Sequence, residues 1–114
     1  MDHTEAVRSY YGALDAHDYD RLSALLSADF VQRRPDRTFE GREAFVSFMR
    51  DGRPRTDTTH EIDSIYERVD GEGDAVELAA RGRLLADGGE ELLPFVDVFR
   101  FEDGRIAELS TYAR

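Results

Sequence analysis

The chain reads as a single α+β domain in which three helices cover one face of a curved antiparallel sheet. Three observations predict this. Apolar residues recur at helical spacing in the first half and at a two-residue period in the second. Turn signals of the GEG, DGG and DG type divide the second half into four consecutive strands. Those strands pair an apolar face with a charged one, as in a sheet packed on one side only, and helices gathered on that side complete the layers. At 114 residues the chain is one domain, long enough to bury roughly two-thirds of its unfolded surface without a disulfide or structural metal.

Taken in order, Asp2 followed by Glu5 resembles a capping box, and Val7, Tyr10, Tyr11 and Leu14 form the stripe of a first helix over residues 3–16. Asp18 caps a second short helix with Leu22, Leu25 and Leu26 inward. Residues 29–34 make a strand that Pro35 ends or places on an edge, and PDRTFEG turns into a short extended piece. Gly41 opens a third helix, GREAFVSFMRD, with Phe45, Phe48 and Met49 on its inner side. Residues 51–58 lack a period and contain Gly and Pro, so they form an exposed loop. Strands follow over residues 60–69, 75–86, 91–101 and 105–112, the last two joined by Asp103-Gly104, a strong hairpin signal.

One strand stands out. Leu93, Phe95, Asp97, Phe99 and Phe101 share a face, which sets a single carboxylate among aromatic side chains. Burial there raises a carboxyl's pKa, making Asp97 a neutral hydrogen-bond donor or a general acid or base near neutrality; the alternative is an inward carboxylate paired with an Arg for structural reasons.

Composition bounds the rest. With no Cys, disulfides, thiolate metal sites and cysteine nucleophiles are excluded. No apolar run approaches the roughly 20 residues of a membrane span, and the acidic, polar start is unlike a signal peptide, so a cytoplasmic protein with no membrane partner is expected. Asp and Glu number 25 against 15 basic residues, net charge −10, and every basic residue is Arg. Such a surface repels itself in dilute buffer but not at molar salt, which suggests a halophilic protein; Arg-favouring codons are the alternative. Nucleic acid is not expected as a partner, because the Arg residues are interleaved with acids. DAHDYD superficially resembles a metal cluster, but Asp18 as a helix cap with solvated neighbours explains it better. His3, His17 and His60 have no ligand-like spacing, so no metal is expected, and without a phosphate-binding glycine loop no organic cofactor is implied.

The order of elements, with YYGALDAHDYDRLSALLSADFV, FEGREAFVSFM and VDVFRFEDGRIAELSTY, resembles the nuclear transport factor 2-like superfamily, in particular its SnoaL-like polyketide cyclases and ketosteroid isomerases. The resemblance covers nearly the whole chain and implies a cone-shaped, cystatin-like fold around an internal pocket. Ketosteroid isomerases hold a substrate oxyanion between a helix-one tyrosine and a protonated aspartic acid on the penultimate strand, a case that serves as a general illustration of a carboxylic acid kept neutral by its apolar site. Counting back from LDAHD places Tyr10 at the tyrosine position, and VDVFRF places Asp97 at the acid position. The family's base is an Asp before a Pro on the first strand. Here Arg34 stands there, and a guanidinium cannot accept that proton.

The resemblance therefore implies a pocket for a small, mostly apolar molecule with a carbonyl, phenol or carboxylate, gripped by Tyr10 and Asp97. His60, at the head of a strand beginning HEI, is a candidate replacement base or a structural strand-end histidine. Arg34 or its neighbour Arg33 points into the cone as an anion-binding fork, unless both are solvated. Phe95, Phe99, Phe45, Met49 and Tyr112 are expected to touch the ligand, with Leu109 as wall or core. Proton transfer beside a carbonyl, as in isomerisation or aldol-type cyclisation, is the expected chemistry. A non-catalytic ligand-binding or dimerisation domain, and epoxide-hydrolase-like water activation by Asp97 with Arg34 or Arg81, are the alternatives. Val96 and Val98 on the outer face suggest a homodimer.

Overall fold

A computed structural model describes residues 2–68 and 76–113; the GEG turn at residues 71–73 lies outside them. Helix α1 spans His3–Asp15, capped by the Asp2 side chain accepting from the Glu5 N–H at 2.8 Å. Helix α2 spans Tyr19–Leu25, and Asp18 caps it by accepting from the Arg21 N–H at 3.2 Å. Helix α3 covers Arg42–Ser47 and runs into a π-helical turn, Phe48–Gly52. The strands are β1 Leu26–Arg33, β2 Thr38–Glu40, β3 Thr58–Glu67, β4 Val76–Ala86, β5 Glu91–Glu102 and β6 Arg105–Ala113.

They form one curved, unclosed sheet in the order β2-β1-β6-β5-β4-β3. It is not wholly antiparallel, because β1 and β6 run parallel. Residues 34–104 lie between these two strands, which leaves ample length for the crossover that parallel pairing needs. β1 also begins at Leu26 rather than at residue 29, with its register to β6 shifting between Leu26 and Val31. The expected exposed loop shrinks to residues 53–57, since the π turn and Thr58 take its ends.

Two local devices set the sheet's shape. The two-residue loop Asp103-Gly104, with φ of 51° and 79°, has the left-handed backbone that a primed hairpin turn requires. In β3 the register to β4 shifts between Ile62 and Ser64, a bulge that brings backbone onto Gly82. A Cβ on Gly82 would sit 2.3 Å from the Glu61 carbonyl oxygen, so only glycine fits opposite the bulge.

The inner face of β5 packs on α1. Tyr10 and Tyr11 both meet the Phe99 ring edge-on, at 5.3 Å and 5.9 Å. Phe45 of α3 meets Phe30 of β1 at 4.9 Å, and Phe30, Phe45, Phe99, Phe101, Leu22 and Leu26 are wholly buried. On the outer face, Glu108 bridges Arg33 and Arg100, and those hydrogen bonds, Arg100's first, hold its carboxyl below the usual range. No helix among the described residues is long and apolar enough to cross a membrane.

Candidate functional site

A cavity of about 350 Å³ opens between α1, the inner faces of β5 and β6, the head of β3 and the segment after α3. That is the small end of the range for ligand pockets. Asp97, 5% exposed, lies in its wall. Its Oδ2 accepts from the Tyr11 hydroxyl and its Oδ1 from the Thr111 hydroxyl, both at 2.6 Å. Thr111 in turn accepts from Gln32 Nε2 at 3.0 Å, so a short relay from β1 through β6 orients the carboxyl. Burial raises the Asp97 pKa, and the two hydroxyl bonds oppose that only in part. A neutral Asp97 that keeps accepting from Tyr11 and Thr111 can turn its own proton towards the cavity it lines.

Tyr10 also lines the cavity. Its hydroxyl makes no hydrogen bond among the described residues, and burial, then the nearby Asp97 charge, raises its pKa. Asp97's hydrogen-bond partner on α1 is therefore Tyr11, while Tyr10 keeps a free donor. The Tyr11 pKa is raised too, by burial first and then by Asp97.

Beside Tyr11, at 5.1 Å between ring centroids, sits His60 in a pair that the sequence did not announce. His60 lines the cavity, with Nδ1 2.6 Å from Asp15 Oδ1 and its backbone N–H donating to Asp15 Oδ2 at 3.0 Å. A carboxylate held at Nδ1 fixes the tautomer with a proton there, and leaves Nε2, unpartnered among the described residues, as a proton acceptor. Asp15 is thus no solvated member of the DAHDYD run. His17 of that run is also engaged, at 2.7 Å from the Thr56 carbonyl oxygen.

The remaining expected residues divide. Arg34, Met49 and Phe95 line the cavity. Arg33 binds Glu108 outside, which settles which arginine faces inward. Phe45 stacks on Tyr10 and Phe99 meets it edge-on, so both back it without lining the cavity. Tyr112 is a correction: it is 62% exposed on the outer face, because side chains alternate along β6 and its neighbour Thr111, paired with Asp97, is the inward one. For the water-activating alternative, Arg81 is exposed, while Arg34 lines the cavity with Asp97 and engages Asp36 at 3.4 Å; among the described residues no guanidinium hydrogen-bonds Asp97. Arg53, from the aperiodic segment after the π turn, lines the cavity as well.

Helices on the concave side of an open six-stranded sheet, with polar groups converging inside, make this a nuclear transport factor 2-like cone. A protein of unknown function from Cytophaga hutchinsonii shares it at a TM-score of 0.80 and 16% identity, over 100% of this chain and 91% of that one. A presumed polyketide cyclase from Sinorhizobium meliloti aligns at 0.75 and 22%, over 95% and 94%, and a presumed ketosteroid isomerase from Kribbella flavida at 0.73 and 18%, over 96% and 76%. The SnoaL-like domain model matches residues 7–109, and the chain belongs to that family. In sequence, no curated protein matches it.

Proposed function

We propose that the chain binds a small, mostly apolar carbonyl compound in this cavity and moves a proton beside the carbonyl without a cofactor. The observation that supports this most is the Asp15-held imidazole of His60 lining the same cavity as the Tyr10 hydroxyl and Asp97. His60 Nε2 takes the proton from the carbon next to the carbonyl, and the electron pair moves to the carbonyl oxygen. Tyr10 and neutral Asp97 donate hydrogen bonds to that developing enolate. Returning the proton to a different carbon of a conjugated enolate completes an isomerisation; attack of the enolate carbon on a second carbonyl of the same molecule turns that carbonyl into an alkoxide, and the proton held on His60 passes to it to complete an aldol-type cyclisation.

The test is exchange of the activated C–H protons of cyclic β-diketones and β-keto esters into D2O, followed by NMR. Catalytic amounts of protein should accelerate exchange, and a phenol that occupies the cavity should suppress it. Phenol binding without any acceleration would leave a non-catalytic binding domain.

The outer face fits a homodimer. Val96 pairs with Tyr112, and Val98 lies across Ala79 from Tyr66, giving an apolar stripe with both tyrosines more than half exposed. Sedimentation should give twice the chain mass, and Tyr112→Glu should return it to that of a monomer.

A further inference from the structure

We propose that the cavity mouth is a carboxylate subsite, anchored by Arg53 with Arg34 as a second cation, so that the substrate carries a carboxylate remote from its reacting carbonyl. This inference builds on the proton-transfer reading above and names a substrate class for it.

Arg53 is built into place. Its Nε donates to the Met49 carbonyl of the π turn at 2.8 Å, and its Nη2 donates to the Tyr19 hydroxyl at 3.1 Å. Tyr19 itself donates to the same carbonyl at 3.3 Å, so three groups from α2, the π turn and the following segment close on one another. Of the five N–H donors of a guanidinium, three have no partner among the described residues. No carboxylate bridges Arg53 among the described residues. Its neighbour Arg55 is by contrast closed off by a two-pronged pair with Asp57, at 3.1 Å and 3.0 Å. Arg34 contributes a second cation, whose salt bridge among the described residues is to Asp36, a carboxylate shared with Arg37.

A fixed, half-buried fork on which no carboxylate sits among the described residues presents its remaining donors in the planar geometry that suits a carboxylate. A positive mouth on a negative molecule also concentrates anions at that one place. The charges of Arg34 and Arg53 are felt at the Tyr10 hydroxyl, where both favour ionisation against the effect of burial. Arg34 and Arg53 line the same cavity of about 350 Å³ as Tyr10 and Asp97, so one small molecule can reach both ends. The fork is preorganised, so little ordering cost falls on the ligand.

Calorimetric titration of 4-hydroxyphenylacetate and 3-(4-hydroxyphenyl)propanoate, each against its methyl ester, tests this at fixed ionic strength. The phenol end reports on Tyr10 and Asp97, and the other end on the mouth. The acids should bind about tenfold tighter than the esters, about 1.4 kcal/mol. Arg53→Gln should abolish the preference while leaving ester affinity within about twofold, and Arg53→Lys should restore part of it. Rising KCl should shrink the preference in the unaltered protein, a check that needs no variant to fold. Equal binding of acid and ester, or a preference that survives both Arg53→Gln and Arg34→Gln, would overturn the subsite. If esters bind and lose affinity in Tyr10→Phe but no acid preference exists, the subsite alone fails. If the acid preference stands while proton exchange is absent, the reaction fails and the subsite survives. Binding of no probe at all would overturn both.

Discussion

Asp15→Asn should lower the proton-exchange rate about as far as His60→Gln does, by about 10²–10⁴ in kcat, with little change in KM. The reasoning rests on the tautomer. Asp15 meets His60 twice, through the backbone N–H at Oδ2 and through Nδ1 at Oδ1. An asparagine can keep both contacts, its oxygen accepting from the backbone and its amide donating to Nδ1. That contact would then push the ring proton onto Nε2, the nitrogen that must accept. The fold should barely notice, because Asp15 and His60 lie at the edge of the core and the two hydrogen bonds are replaced in kind. His60→Gln removes the base outright. A structural histidine would behave differently: Asp15→Asn would then turn over at nearly the normal rate, and His60→Gln would lower the melting temperature without a matching loss in kcat. Rate and melting temperature measured on the same samples separate the two.

What could be read beforehand follows from the range of each signal. The alternation of β5 is local, so it placed Asp97 among Phe95, Phe99 and Phe101 correctly, and the capping residues Asp2 and Asp18 were equally legible. The choice between Tyr10 and Tyr11 was not, because adjacent helix positions lie about 100° apart and here both face inward. Only the docking of α1 on the sheet decides that Tyr11 reaches Asp97. Strand phase could have been used further: Leu109 and Tyr112 are three apart and cannot share a face, which points to Thr111 as the inward residue of β6. The Asp15–His60 pair joins a helix end to a strand start across the fold, and no local pattern carries that information. Arg53 lies in a segment without periodicity, where the π turn after α3 sets its direction.

Asp97→Asn should cost about 10²–10³ in rate and, at neutral to alkaline pH, leave the protein as stable as before or more so. The rate falls because a protonated carboxyl is a far stronger donor to a developing enolate than an amide is. Stability follows from the hydrogen bonds and from the sign of the titration. Tyr11 and Thr111 both carry hydroxyls, which can donate to the asparagine oxygen or accept from its amide, so neither is left unsatisfied. Burial raises the Asp97 pKa in the folded chain above its ordinary value of 3.8. Between those two values the folded state holds a proton that the unfolded state has released, so stability falls as pH rises through that window. Above the folded pKa a buried charge burdens the native state alone. Asparagine never acquires that charge, so the gap between variant and parent should open with rising pH and close below pH ~4. Denaturant midpoints of both proteins across the pH range would show it. A gap of the opposite sign, with the parent gaining on the variant as pH rises, would mean that Asp97 is ionised and held as a structural anion by Tyr11 and Thr111. In that case the cavity contains a charge where the proposed reaction needs an acid.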